Sequence, residues 1–200
     1  MTSLVSKLAR ALLLVSLLLC AFSCTRPLPL VIRDEMSATL RGRATIVFFT
    51  DFQCPFCRRT HEALAPVVEQ REGKVRIVLR HVPLQRHPDA RTAARAAVCV
   101  EKLAPDHADR YANALFVARD LSEANIAAIA TAHGVEADRL QQCVSDASTD
   151  ARIDRDTAIF DSIGGDGVPL LYVGSSRLDG MQTQSSLEAA IDAAIEEASR

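Results

Sequence analysis

The 200-residue chain has no second Cys-x-x-Cys and no His-x-His pair, and its five histidines stand singly at 61, 81, 87, 107 and 133. A structural zinc site gathers four nitrogen or sulfur ligands, so that class loses support. Its three methionines, Met1, Met36 and Met181, form no cluster either, which leaves a copper- or zinc-carrying module without the soft ligands it needs, and no metal site is expected. Internal repeats, low-complexity tracts and blocks of like charge are also missing. Acidic and basic residues are interspersed at a net charge of −2, which becomes −4 without Lys7 and Arg10, so nothing attracts nucleic acid or another polyanion.

What is present is Cys54-Pro55-Phe56-Cys57, set between the apolar run Ala44 to Thr50 and a helical pattern that starts at Arg58. Two thiols two residues apart close a disulfide with little backbone movement when the first sits at a helix N-terminus and the second lies one turn inside. Pro55 suits the first helical position, where its φ is already helical and its missing N–H would have been unpaired. The free amides and the helix dipole favour a negative sulfur at Cys54, which marks it as the nucleophile of a redox-active pair. No cofactor is required for such chemistry.

Residues 1–23 read as a signal peptide of bacterial type. Lys7 and Arg10 precede the apolar stretch Ala11 to Phe22, and Ala21-Phe22-Ser23 offers small residues before a cut. That stretch is short for a membrane span. Ala21-Phe22-Ser23-Cys24 loosely resembles the lipoprotein cleavage box, from which Phe22 departs. Lipid on Cys24, ordinary cleavage and an uncut anchor stay open. Cys20 reads as a hydrophobe within the apolar stretch.

About 177 residues remain after such a cut, enough for one domain with a full core. Four cysteines besides Cys24 suit an oxidising, extracytoplasmic compartment. Adjacency assigns Cys54 to Cys57. Cys99 and Cys143 are left to each other or as two buried thiols, and the even count favours a structural disulfide between two helices.

The pattern along the chain is α/β. Thr45 to Phe49 is an apolar β-rich run, predicting a central strand buried on both faces. A helix follows, with Ala63, Leu64, Val67 and Val68 on one face, Pro66 as a kink and Gly73 as its stop; Val75, Ile77 and Leu79 then predict a second strand, parallel to the first. From Asp89 to Ile163 only helical spacing occurs, giving an insert of about five helices. One face carries Ala90, Ala93, Ala94, Ala97 and Val98, and others Tyr111, Ala114, Leu115 and Ala118, then Ile126, Ile129 and Ala130. Leu140, Cys143 and Val144, then Ile153, Thr157, Phe160 and Ile163, complete the set. Val168 to Val173 predicts a strand entered through Pro169, and Arg177 to Asp179 its hairpin partner. Leu187, Ala190, Ile191, Ala194 and Ile195 mark a last helix, with Ser185 and Glu188 at capping-box spacing. The expected organisation is an N-terminal segment over 24–43, a core over 44–88 and 164–200, and the helical insert over 89–163.

Asp51 to Cys57, Arg80-His81-Val82-Pro83-Leu84 with His87-Pro88, and Gly167-Val168-Pro169 together resemble the DsbA-like thiol:disulfide oxidoreductases. The likeness runs over residues 44–198 and includes the insert. It implies a thioredoxin-like α/β fold with an all-helical insertion and a cis Pro169 against the dithiol, with Val168 presenting backbone groups to a substrate strand. Candidate substrate-binding residues are therefore Val168 and Pro169, with Pro55 and Phe56 in the motif. Valine before the cis proline leans toward a dithiol oxidase, with a reductase or isomerase as the alternative. Implied partners are thiol- or disulfide-containing proteins and a membrane redox partner, either a quinone-linked oxidase or a reductase. With only about twenty residues between Cys24 and the first core strand, a monomer is expected.

The chain departs from the family at Phe48, where relatives place a buried acid that exchanges protons with the second cysteine. Asp51 is expected to face solvent at the strand end and to be a weak substitute. His61 is expected to be a partly exposed helix residue, and His81 and His87 to bridge the second strand to the insert. Arg58 and Arg59 are candidates for adding positive potential near the thiolate.

Overall fold

The computed structural model describes residues 27–38 and 40–200. The leader, with Cys20, and the possible lipid site at Cys24 lie outside the described residues. A short helix α1 (Leu30–Ser37) precedes strand β1 (Ala44–Thr50), helix α2 (Pro55–Glu69) and strand β2 (Val75–His81). Five helices follow: α3 (Ala90–Leu103), α4 (Ala108–Val117), α5 (Glu123–Ala132), α6 (Ala137–Val144) and α7 (Ala147–Ser162). Strands β3 (Leu170–Val173) and β4 (Ser176–Asp179) then lead to helix α8 (Gln184–Ser199).

The sheet has the order β2-β1-β3-β4, with β1 parallel to β2 and antiparallel to β3, and β4 antiparallel to β3. All seven residues of β1 are buried, which is why its sequence is apolar without alternation. Phe48 packs toward α4 and Phe49 toward Phe160 of α7, one ring on each face. Burying each such side chain contributes about 1.5–3 kcal/mol. The β3–β4 connection is a tight turn through Gly174, whose φ is +54° and whose Cβ, if present, would lie 2.8 Å from that of Ala194. Any side chain there would push α8 off the sheet.

Within the insert, α3 touches α4, α5, α6 and α7. Its inward face is largely alanine, with Ala93, Ala94, Ala96 and Ala97 buried, so the neighbouring helices approach closely. Cys99 on α3 is joined to Cys143 on α6 by a disulfide with a Cα separation of 5.8 Å.

Two local readings need correction. The inward position of α7 between Ile153 and Phe160 is Asp156, fully buried, while Thr157 is only partly covered. Burial of this carboxylate is tolerated because Arg80 Nη1 donates to it at 2.9 Å and the His81 backbone N–H at 3.1 Å. Arg80 also pairs with Glu35, which pins α1 to the sheet. The cap of helix α8 lies two residues before Ser185: Thr183 is the N-cap and accepts from Ser186 N–H at 3.2 Å, while Glu188 accepts from Gln184. Threonine serves as well as serine in this role, and sequence spacing alone does not choose between adjacent hydroxyls.

Candidate active site

Cys54 is the N-cap of α2, Pro55 the first helical residue, and Cys57 lies one turn inside. Both thiols are free and buried, Cys57 more deeply. The Val168–Pro169 peptide bond is cis, and Cys54 Sγ reaches the Val168 carbonyl oxygen at 3.8 Å. Pro169 is the residue before β3, so the central sheet carries both halves of the site: β1 leads into the dithiol and β3 leads out of the proline.

The two sulfurs differ in acidity for identifiable reasons. Cys54 is pushed down to about 6, first by the hydrogen bond from the Cys57 thiol, then by the Cys57 and Phe56 amides at the helix start; burial and the Asp51 charge oppose this. Cys57 is pushed well above the ordinary thiol range, mainly by burial and then by Cys54, with the Thr50 hydroxyl and Asp51 backbone acting the other way. A thiolate at Cys54 beside a protonated Cys57 is the resulting state near neutral pH.

Asp51 does not face solvent. Its carboxylate is buried and accepts from Gln53 N–H at 2.7 Å, from Leu84 N–H at 2.9 Å and from His87 Nδ1 at 2.7 Å. Three donors compensate the loss of water, which is what permits burial. Gln53 makes a second link, exchanging hydrogen bonds with the Asp89 backbone and carboxylate. His87 therefore ties the loop after β2 to the dithiol loop rather than to the insert. His81 reaches the insert through its main-chain N–H, while its ring packs 5.5 Å from Phe52 with Nδ1 unpaired. Asp51→Ala should strand these donors and destabilise the protein by about 3–5 kcal/mol, read by denaturant unfolding. Loss under 1 kcal/mol would deny Asp51 this anchoring role.

Phe48 lies in an aromatic stack, its ring 6.0 Å from that of Phe116 and nearly parallel to it, and Phe116 in turn is 4.2 Å from the His61 ring. His61 is half-buried; its Nε2 meets Asn113 Oδ1 at 2.8 Å, and burial lowers its proton affinity. Arg58 is directed to the Val117 carbonyl at 3.4 Å, and Arg59 is exposed. Phe56 is 52% exposed, Val117 69% and Met181 47%. Arg58 links Val117, and the Gln182 N–H to Thr60 bond links the Met181 loop, to the first turns of α2. Phe116, Val117 and Met181 carry no motif, and only the folded chain brings them here. A cavity of about 440 Å³ lies within the insert between Arg95, Leu140 and Asp150, away from the sulfurs. Among the described residues no cluster of His, Cys, Asp and Glu is arranged to hold a metal, and no helix is long and apolar enough to cross a membrane.

A helix-capping dithiol against a cis proline, on a four-stranded mixed sheet with a helical insertion, defines a thioredoxin-fold thiol-disulfide centre of the DsbA-like class. A thioredoxin family model matches residues 41–193, and the chain belongs to that family. A thioredoxin-like oxidoreductase from Silicibacter pomeroyi DSS-3 is 27% identical, with a TM-score of 0.68 over 78% of this chain and 88% of that one. DsbA2 from Pseudomonas aeruginosa is also 27% identical, with a TM-score of 0.61 over 75% of this chain and 87% of its own. Among curated proteins, the Na(+)/H(+) antiporter NhaA 3 of Salinispora tropica is 29% identical over 166 residues, which are 82% of this chain. The match spans about 25% of that antiporter's length.

Proposed function

We propose that this thiol-disulfide oxidoreductase works outside the cytoplasm as a dithiol oxidase of protein substrates, with Cys54 as nucleophile and Cys57 as its redox partner. The observation that carries this reading is the placement of Cys54 as N-cap of α2 against the cis Val168–Pro169 bond, where the Cys57 thiol and the helix-start amides push its pKa down to about 6. A stabilised thiolate stabilises the reduced enzyme, and an enzyme whose reduced form is favoured is an oxidant. A substrate thiolate attacks the Cys54–Cys57 disulfide at Cys54, forming a mixed disulfide and releasing Cys57. A second substrate thiolate then attacks the substrate sulfur, and Cys54 leaves as the thiolate. Val168 and Pro169 line the approach, and the exposed Phe56, Val117 and Met181 give an apolar rim suited to an unfolded chain. Export through the leader over 1–23, with lipid on Cys24 as one form of anchoring, and reoxidation by a quinone-linked membrane protein complete the proposal.

The deciding experiment is equilibration of the Cys54/Cys57 pair with glutathione. A potential well above that of the glutathione pool is expected, and one near thioredoxin's, about −270 mV, would make this a reductase.

Phe48 sharpens the expectation. Phe48→Glu should place a negative charge under the pair, raise the proton affinity of Cys54 and lower the potential, by about 30 mV per 1.4 kcal/mol of thiolate stabilisation lost. Thiolate absorbance against pH and the glutathione equilibrium read both effects. No change in a folded variant would reduce Phe48 to its packing against Phe116.

A further inference from the structure

Thr50 ends β1 just before the dithiol loop. Side chains alternate along a strand, so Thr50 shares the face of Phe48. On that face Phe48 stacks on Phe116 of α4, and Phe116 in turn on His61 of α2, one turn beyond Cys57. Thr50 is 1% exposed, and its hydroxyl oxygen is buried without a partner in the dithiol state. An unpaired buried hydroxyl destabilises the fold, a cost removed when an acceptor is supplied.

The reaction supplies one. Resolving a mixed disulfide requires a Cys57 thiolate, and in this chain Phe48 occupies the place of the acid that would assist its formation. The remaining ionisable groups around Cys57 are engaged elsewhere. Asp51, at the strand end, is held by three donors including His87, and His61 on α2 by Asn113. His81 on β2, paired in register with Thr50, is pushed down to about 4 by burial and is neutral near pH 7. Cys54 on the same helix opposes a second thiolate.

We propose that Thr50 is the hydrogen-bond donor that stabilises the Cys57 thiolate during resolution, replacing general-base assistance with a buried hydroxyl. The proposal rests on the exchange chemistry above. In the step concerned, the Cys57 thiol loses its proton to solvent and its sulfur attacks Cys54 Sγ. The Cys54–substrate sulfur bond breaks, and the substrate sulfur leaves as a thiolate carrying the electron pair. The Thr50 influence on Cys57 acts in the required direction, since it favours the charged sulfur.

The test mixes the reduced protein with one equivalent of an aromatic disulfide whose leaving thiolate is coloured. Cys54 attack gives the first release of colour, and resolution by Cys57 gives the second. A hydrogen bond to a charged group is worth about 1.5–3 kcal/mol, so Thr50→Val should slow the second phase roughly 10- to 100-fold and move its pH profile up by about one to two units. The first phase should stay within about twofold, Thr50→Ser should restore the second, and Thr50→Val should be at least as stable as the parent because it buries no unpaired hydroxyl. A second phase with unchanged rate and pH profile in folded Thr50→Val would overturn the proposal. Should the valine variant fail to fold, Thr50→Ser and Thr50→Ala are compared, and equal second phases overturn it likewise. Absence of the first phase in the parent protein would instead remove the exchange reading, and this proposal with it.

Discussion

Cys54→Ser is expected to abolish mixed-disulfide formation, while Cys57→Ser should form the complex and hold it. The asymmetry follows from the placement of the two sulfurs on α2. Cys54 lies at the helix start beside the Val168 carbonyl and is the more acidic thiol; Cys57 lies one turn inside the helix and stays protonated. The serine in Cys54→Ser offers no sulfur for exchange, so loss of activity should be complete. Gel analysis of trapped substrate adducts reads the outcome, and trapping by Cys54→Ser instead would reverse the assignment. The pH dependence has a definite sign. Since Cys54 loses its proton near pH 6 in the fold, against 9.0 ordinarily, reduced protein gains stability over its unfolded chain as pH rises between these values. It loses that gain as pH falls through about 6. The oxidised protein has no such thiol, so the stability of reduced relative to oxidised protein should climb from pH 6 to 9, and a flat difference would contradict a depressed Cys54.

Removing the second disulfide should lower stability nearly as much as a large core truncation. Cys99 and Cys143 are 44 residues apart, and closing a loop of that length restricts the unfolded chain by about 4 kcal/mol in the chain-entropy model. For a chain of this size that corresponds to a fall of about 8–16 °C in Tm for Cys99→Ala with Cys143→Ala. Scanning calorimetry of the double variant, with Cys54 and Cys57 held in one redox state, measures it. A change under 1 kcal/mol would show that packing of α3 against its neighbours holds the insert together unaided. The bond closes on the insert and not on the dithiol, so glutathione equilibration of Cys54 and Cys57 should be little altered in the folded variant.

The stability and the chemistry differ in how legible they are from the chain. Cys54, Pro55 and Cys57 could be placed because a helix start imposes local rules: a proline tolerated at the first position, amides free to meet a thiolate, and one turn between two sulfurs. The central place of β1, its parallel pairing with β2 and the helical insert were legible from the chain, since β1 is an apolar run without alternation and the insert contains no β-rich run. Reading Asp51 as solvent-facing failed because a carboxylate's burial depends on its donors, and two of these, Leu84 N–H and His87 Nδ1, lie 33 and 36 residues away. The same holds for Asp156, whose burial depends on Arg80, 76 residues distant.

By itself, then, the amino-acid sequence determined the placement of the cysteine pair at a helix start and the alternation of strands and helices, because each is governed by spacing within a turn or along a strand; its motifs carried the resemblance to the family. Tertiary structure alone decided what surrounds the sulfurs. It seated Phe116 between Phe48 and His61, left the Thr50 hydroxyl unpaired, closed three donors on Asp51, and brought Val168 to Cys54 across 114 residues. These are long-range pairings, and their energies come from desolvation and satisfied donors, quantities that a residue acquires from its neighbours in space and not from its neighbours in the chain.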